Sequence, residues 1–159
     1  MRHIRIGNGY DVHRLAGGRD FWLGGCHIAH PKGCVAHSDG DVLIHALCDA
    51  LLGAAALRDI GVHFPDTNPQ YKGIDSKKIL AGTMALVRAE GYEVGNVDTV
   101  VCLQSPKIAA YIPEMRQTLA DVMQVSEAQI SIKATTTEGL GFEGREEGVS
   151  AYAAVLLTK

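Results

Sequence analysis

Residues 36–49 read Ala36-His37-Ser38-Asp39-Gly40-Asp41-Val42-Leu43-Ile44-His45-Ala46-Leu47-Cys48-Asp49, which puts two histidines and three aspartates at the start of one predicted helix. The apolar Ala50-Leu51-Leu52 follows directly. So many imidazoles and carboxylates exceed what a packing helix needs. Asp11 and His13 stand two apart at the end of a predicted strand, and residues i and i+2 of a strand share a side. A carboxylate and an imidazole therefore lie next to each other. With His45 they form an Asp-His-His set, and three protein ligands with an open fourth position is the pattern of catalytic zinc. Asp41, His45 and Asp49 share one helical face, so either aspartate can take the proton on the second ring nitrogen of His45. The competing reading is a partly buried His45 bonded to Asp41 or Asp49 with no metal.

The other polar clusters suit anions. His37-Ser38 lies just ahead of the helix, where unpaired N–H groups and the dipole favour negative charge. Ser38 is also the expected N-cap, with Asp41 as a capping-box acid. Lys133-Ala134-Thr135-Thr136-Thr137-Glu138 closes a strand. β-branched Thr suits a strand for its own sake, yet the hydroxyls of Thr135, Thr136 and Thr137 can also hold phosphate oxygens. Glu138 suits a hard divalent cation bridging two phosphates. The pattern G-x-x-x-x-G-K-[ST] is absent, so this is no Walker loop. Asp59-Ile60-Gly61 and Phe64-Pro65-Asp66-Thr67 either meet sugar hydroxyls or are solvated turns. Ser105-Pro106-Lys107 either brings a cation and amides to a base or phosphate, or is a plain turn. Arg145 contacts an anion, pairs with its neighbours or joins a subunit contact.

Elements that position these groups follow from periodicity and punctuation. Residues 2–13 alternate as a strand. Phe21-Trp22-Leu23 and Cys26-His27-Ile28 flank Gly24-Gly25 as a small hairpin. Residues 31–36 read as a loop, and the helix after Ser38 runs to about Leu57. Residues 58–73 are rich in Gly, Pro, Asp and Asn and read as one long irregular segment. Asp75 or Ser76 caps a second helix through about Glu90, with Gly91 as its stop. Residues 94–104 form a strand, 113–123 a helix, 130–134 a strand, 138–148 a Gly-rich loop and 149–157 a last strand. The expected fold class is α+β: a two-layer sandwich, a mixed sheet with its helices on one face.

The 159 residues, 47% hydrophobic and 21% charged, fit one globular domain over residues 1–159 that needs no disulfide for its core. The net charge of -3 and the absence of a Lys/Arg run argue against nucleic acid. No apolar run reaches the length of a membrane helix, and the N-terminus has no signal-peptide core. The expected location is the cytoplasm, with Cys26, Cys34, Cys48 and Cys102 as reduced thiols.

Taken in order, these motifs resemble the 2-C-methyl-D-erythritol 2,4-cyclodiphosphate synthase family. They run Gly9-Tyr10-Asp11-Val12-His13, His37-Ser38-Asp39-Gly40-Asp41 with His45, Asp59-Ile60-Gly61 with Phe64-Pro65-Asp66-Thr67, Pro106-Lys107, and Lys133 to Glu138 with Phe142 and Arg145. The resemblance covers essentially the whole chain. It implies a phosphorus-oxygen lyase of non-mevalonate isoprenoid synthesis, a homotrimer with its sites between subunits. The implied substrate is 4-diphosphocytidyl-2-C-methyl-D-erythritol 2-phosphate, which cyclises with loss of CMP. Asp11, His13 and His45 match zinc ligands, and Glu138 matches the ligand of Mg²⁺ or Mn²⁺ between the phosphates. His37 and Thr136 match positioning and transition-state residues, with Val12 and Ser38 beside them. Asp59, Ile60, Gly61 and the segment Phe64, Pro65, Asp66, Thr67, Asn68 match the methylerythritol side. Leu103, Gln104, Ser105, Pro106 and Lys107, with Thr135 and Thr137, match the cytidine and phosphate side. Phe142 and Arg145 match residues lining the site or a central cavity. Two positions depart from the pattern. Asn8 stands where His or Gln is expected, and Glu146 stands where Gly is usual, adding a carboxylate near Arg145.

Overall fold

The computed structural model describes residues 3–159. Arg2, expected at the start of the first strand, lies outside the described residues. That strand, β1 (Ile4–Gly17), runs four residues past its expected end. The hairpin follows as β2 (Phe21–Leu23) and β3 (Cys26–Ile28), antiparallel as expected. Part of the expected loop at 31–36 is instead a strand, β4 (Lys32–Val35), paired antiparallel with the end of β1. Gly33 permits this packing, since a Cβ there would sit 2.1 Å from the carbonyl oxygen of Asp20.

Helix α1 (Val42–Ala54) is the centre of the core, and all of its residues except Asp49 and Gly53 are buried. A helix apolar on nearly every side belongs inside a domain. Leu43, Leu47 and Leu51 are fully buried, each contributing about 1.5–3 kcal/mol of transfer free energy. The helix stops at Ala54, three residues short of expectation. A short helix α2 (Ile60–His63) and a 3-10 turn (Pro69–Tyr71) break the irregular segment that follows. Asp75 rather than Ser76 caps α3 (Ser76–Ala89), accepting from the Lys77 N–H. Then come β5 (Glu93–Cys102), α4 (Ile112–Met123), β6 (Ile130–Thr135), α5 (Gly141–Gly144) and β7 (Gly148–Thr158).

The main sheet has five strands in the order β4-β1-β7-β5-β6. All pairings are antiparallel except β5–β6, so the sheet is mixed. α1 lies on β1 and β7, α4 reaches β6, and α3 packs between α1 and α4. The α+β sandwich with its helices on one face is the observed architecture.

Alternation along β1 sets what each face does. Gly7, Gly9, Asp11, His13 and Leu15 face α1, while Ile4, Ile6, Asn8, Tyr10 and Val12 face away. The glycines matter because α1 presents Ala46, Ala50 and Ala54 to them. A Cβ at Gly9 would stand 1.9 Å from the carbonyl oxygen of Ala46, and one at Gly7 would stand 2.1 Å from that of Ala50. Strand and helix backbones therefore touch, which brings the strand's next inward residues, Asp11 and His13, against His45.

Candidate metal centre and substrate clefts

Asp11 and His13 project from β1 and His45 from the first turn of α1, and their ligand atoms converge. His13 Nε2 lies 3.0 Å from His45 Nδ1 and 3.0 Å from Asp11 Oδ2. His45 Nδ1 lies 3.1 Å from the same carboxylate oxygen. Ligands of a tetrahedral zinc, each about 2.0–2.1 Å from the ion, sit roughly 3.3 Å from one another. The triad therefore fits an ion with a shift of roughly 0.3 Å. Two imidazole nitrogens and a carboxylate are also the chemistry that Zn²⁺ accepts.

The electrostatics are those of a tightly coupled site. Burial alone would raise the Asp11 carboxyl, but hydrogen bonds with His13 and His45, and their nearby charge, hold it well below the usual carboxylate range. Burial works against a charged His45, but the bond to Asp11 and the charges of Asp11, Asp41 and Asp39 outweigh it and raise its pKa.

The expected partners of His45 are corrected. Neither the Asp41 nor the Asp49 carboxylate is hydrogen-bonded to its ring; Asp41 meets His45 only through the backbone, its carbonyl accepting the His45 N–H at 3.0 Å. Asp41, fully buried, is the N-cap in place of Ser38: its Oδ1 accepts from Ile44 N–H at 3.0 Å and Gly24 N–H at 3.0 Å, and its Oδ2 from Gly25 N–H at 2.7 Å. It ties the hairpin to the helix. Asp49 accepts from the backbone N–H of Ile60 at 2.9 Å and so holds the start of α2. The second ring nitrogen of His45 instead meets Ser76 Oγ at 2.9 Å and Ser38 Oγ at 3.3 Å. Ser76, absent from the sequence-based site, looks like one more polar residue at a helix start, and only its contact across 31 residues reveals it.

The triad forms one wall of a cleft of about 340 Å³. His37 and Ser38 line it on one side, Ile60, Gly61, Phe64 and Asp66 on another, with Tyr71, Ile74 and Ile79 adding apolar surface. Pro65, Thr67 and Asn68 do not line it, and Asn68 caps the 3-10 turn through Gln70 N–H. Asp59 caps α2 through Val62 N–H.

A second cleft, about 190 Å³, collects Leu103, Gln104, Pro106 and Lys107 with Thr135 and Thr136. Gln104 Oε1 accepts from Gly139 N–H at 3.3 Å and fastens the loop after β6. Thr136 Oγ1 accepts from the Glu138 N–H at 3.3 Å, and the Glu138 side chain is exposed. Thr137 donates to the carbonyl of Leu140. Asp11 and His13 sit on β1, and this cleft lies at the ends of β5 and β6, two and three strands away. At about 4.8 Å per strand, that separation is roughly 10–14 Å.

Phe142 lines a third recess with Val12, His13 and Arg14. Arg145 forks onto Glu147, with Nε–Oε1 and Nη2–Oε2 both 3.1 Å. Glu146, expected beside Arg145, faces Lys32 instead, and Lys32 Nζ donates to its carbonyl at 3.0 Å. Its φ of 56° falls in the left-handed region, the physical reason a Gly suits the position. Asn8 faces the side of the sheet opposite the triad.

The role of Asp49 gives a direct test. Asp49→Ala is expected to leave zinc affinity at the wild-type level, to cost about 1–3 kcal/mol through the orphaned Ile60 N–H, and to raise KM by loosening the Ile60–Gly61 wall. Zinc titration with steady-state kinetics checks it, and a fall in affinity of about 10–100-fold would put Asp49 in contact with a metal ligand.

The model for the YgbB family matches residues 4–158. The chain is 62% identical to the 2-C-methyl-D-erythritol 2,4-cyclodiphosphate synthase of Porphyromonas gingivalis over 154 residues, covering 97% of this chain and 95% of that one. A solved synthase described as the bound form with CDP superposes with a TM-score of 0.89 at 41% identity, over 96% of this chain and 99% of that one. The bifunctional IspDF of Campylobacter jejuni matches with a TM-score of 0.96 at 43% identity over 99% of this chain, which spans only 43% of that longer protein. The convergent triad, the fold and these likenesses agree: the chain belongs to the YgbB family of 2-C-methyl-D-erythritol 2,4-cyclodiphosphate synthases.

Proposed function

We propose that this chain performs the family's cyclisation with the residues assembled above. The 2-phosphate of 4-diphosphocytidyl-2-C-methyl-D-erythritol 2-phosphate attacks the β-phosphorus. A new P–O bond closes the cyclic diphosphate, the bond from the β-phosphorus to the oxygen bridging the α-phosphorus breaks, and CMP leaves with that electron pair. The substrate carries its own nucleophile, so the protein needs none. The observation that carries the reading is the Asp11–His13–His45 convergence in the wall of a cleft large enough for a phosphorylated polyol.

Asp11, His13 and His45 would hold Zn²⁺, and Glu138 would hold Mg²⁺ or Mn²⁺ between the phosphates. Bound cations supply Lewis acidity and offset the charge of crowded phosphates. His37 and Ser38 orient the attacking phosphate at the mouth of α1. Phe64, Tyr71 and Ile74 keep water from the phosphorus, which favours ring closure over hydrolysis. Thr135, Thr136 and Thr137 orient the diphosphate, while Leu103, Ser105, Pro106 and Lys107 receive the cytidine side. A solved relative is described as the bound form with CDP, which supports a cytidine-linked ligand here.

The second cleft lies too far from the triad on one chain for both to grip one diphosphate closely. That supports a site completed by a neighbouring copy. The sheet face opposite the helices leaves Ile6 79%, Ile4 63%, Tyr152 48% and Tyr10 45% exposed. An apolar patch of this kind fits burial between subunits, here of a homotrimer. No helix among the described residues is long and apolar enough to cross a membrane.

Incubation with the diphosphocytidyl substrate and Mg²⁺ should yield CMP and the cyclic diphosphate in equal amounts. Release of inorganic phosphate or an acyclic product would make the protein a phosphoester hydrolase, and binding without turnover would make it a non-catalytic module.

A further inference from the structure

We infer that Ser76 and Asp39 are positioning residues that hold His45 as its Nε2–H tautomer and aim its Nδ1 lone pair at the metal. The inference rests on reading the triad as a metal site. Ser76 is fully buried at the first turn of α3. Asp39 Oδ2 accepts its backbone N–H at 2.8 Å, and Asp39 Oδ1 takes its hydroxyl together with the Asp41 N–H at 3.2 Å.

The direction of the chain of bonds follows from counting protons. An ionised carboxylate only accepts, so the hydroxyl proton of Ser76 goes to Asp39. A hydroxyl has one proton. What Ser76 Oγ offers His45 Nε2, 2.9 Å away, is therefore a lone pair, and Nε2 must be the donor. Ser38 Oγ, 3.3 Å from the same nitrogen, can accept from it as well, and itself takes Gly40 N–H at 3.2 Å.

The opposite tautomer would put a proton on Nδ1, toward Asp11. It would also set a bare Nε2 against an oxygen whose proton is already committed, two lone pairs face to face in a buried site. The Ser76–Asp39 pair opposes that arrangement and keeps Nδ1 free, 3.1 Å from Asp11 Oδ2 and 3.0 Å from His13 Nε2. A ligating histidine usually gives its other N–H directly to a carboxylate or carbonyl. Here a serine stands between ring and carboxylate, so the carboxylate acts at one remove.

The test uses the full chain, stripped of metal and titrated with Zn²⁺ as wild type, Ser76→Ala and Ser76→Thr, with ¹⁵N–¹H spectra of the zinc-loaded histidine rings. Ser76→Ala is expected to bind Zn²⁺ about 10–100-fold more weakly, while Ser76→Thr, which keeps the hydroxyl, recovers most of the affinity. The wild-type His45 Nε2–H should be slow to exchange and shifted downfield, and should lose both properties in Ser76→Ala. Undiminished affinity in Ser76→Ala, or a zinc-loaded wild-type His45 with no proton on Nε2, overturns the inference while leaving the metal site intact. A wild type that binds no Zn²⁺ overturns the metal reading and this inference with it.

Discussion

His45→Ala is expected to lose its zinc and its turnover together while staying folded. His45 is the one member of the triad that α1 contributes, and its Nδ1 closes the triangle with Asp11 and His13. Without it two ligands remain on one strand, too few for a catalytic zinc site. Charge stabilisation of a phosphoryl transition state by a metal is worth several kcal/mol. At about 1.4 kcal/mol per tenfold, turnover should fall roughly a thousandfold or more. The fold should survive, because the ring borders an open cleft and alanine is the best helix former, for a net cost of about 1–3 kcal/mol. Elemental analysis, circular dichroism and the CMP-release assay on one preparation check this. Retained turnover with a native spectrum would remove His45 from the metal site.

Gly9→Ala is expected to damage stability and metal binding at once, although Gly9 touches no ligand. The new Cβ would meet the Ala46 carbonyl oxygen at 1.9 Å and the Ala50 nitrogen at 2.8 Å, both backbone atoms that no rotamer change can move. β1 must then lift from α1, and Asp11 and His13 lift with it while His45 stays on the helix. Overpacking of this severity costs about 3 kcal/mol, or a Tm lower by about 6–12 °C in a chain of this size. Zinc affinity should fall with it. Gly17→Ala on the same strand is the control: nothing lies within 4 Å of its added Cβ, so it should change stability by less than about 0.5 kcal/mol. A Gly9→Ala variant that melts and binds zinc like the wild type would mean that the strand–helix contact does not set the triad's geometry.

The members of the triad were legible in the sequence, but their meeting rested on the family resemblance, because no local rule lays β1 against α1. Asp11 and His13 share a side by strand period, and His45 falls inside a well-marked helix. What surrounds the triad was not legible, because helix-surface spacing says which residues are neighbours and not which way they are used. Asp41 is four residues from His45, yet its carboxylate turns back to three N–H groups, two of them from Gly24 and Gly25 in the hairpin. Asp49, four residues the other way, is taken by Ile60. The groups that do meet the ring, Ser38 and Ser76, resemble ordinary caps in a sequence. Since Asp41 and Asp75 do the capping, both serine side chains can turn toward His45.

Among the elements, helices with clear caps and the long strands were readable to within a few residues. β4 was not, because Pro31 and Gly33 mark a loop and its pairing with β1 depends on a glycine fitting under the Asp20 carbonyl. The division of the candidate site residues between two clefts was also invisible, since strand order decides it and residue spacing does not.

The most direct test of the metal assignment is an X-ray structure of the zinc-loaded protein with diffraction recorded on both sides of the zinc absorption edge. One anomalous peak per chain is expected, about 2.0–2.2 Å from Asp11 Oδ2, His13 Nε2 and His45 Nδ1, with the fourth position open to a substrate phosphate oxygen. A peak elsewhere, or none at the triad in a protein that still releases CMP, would contradict it.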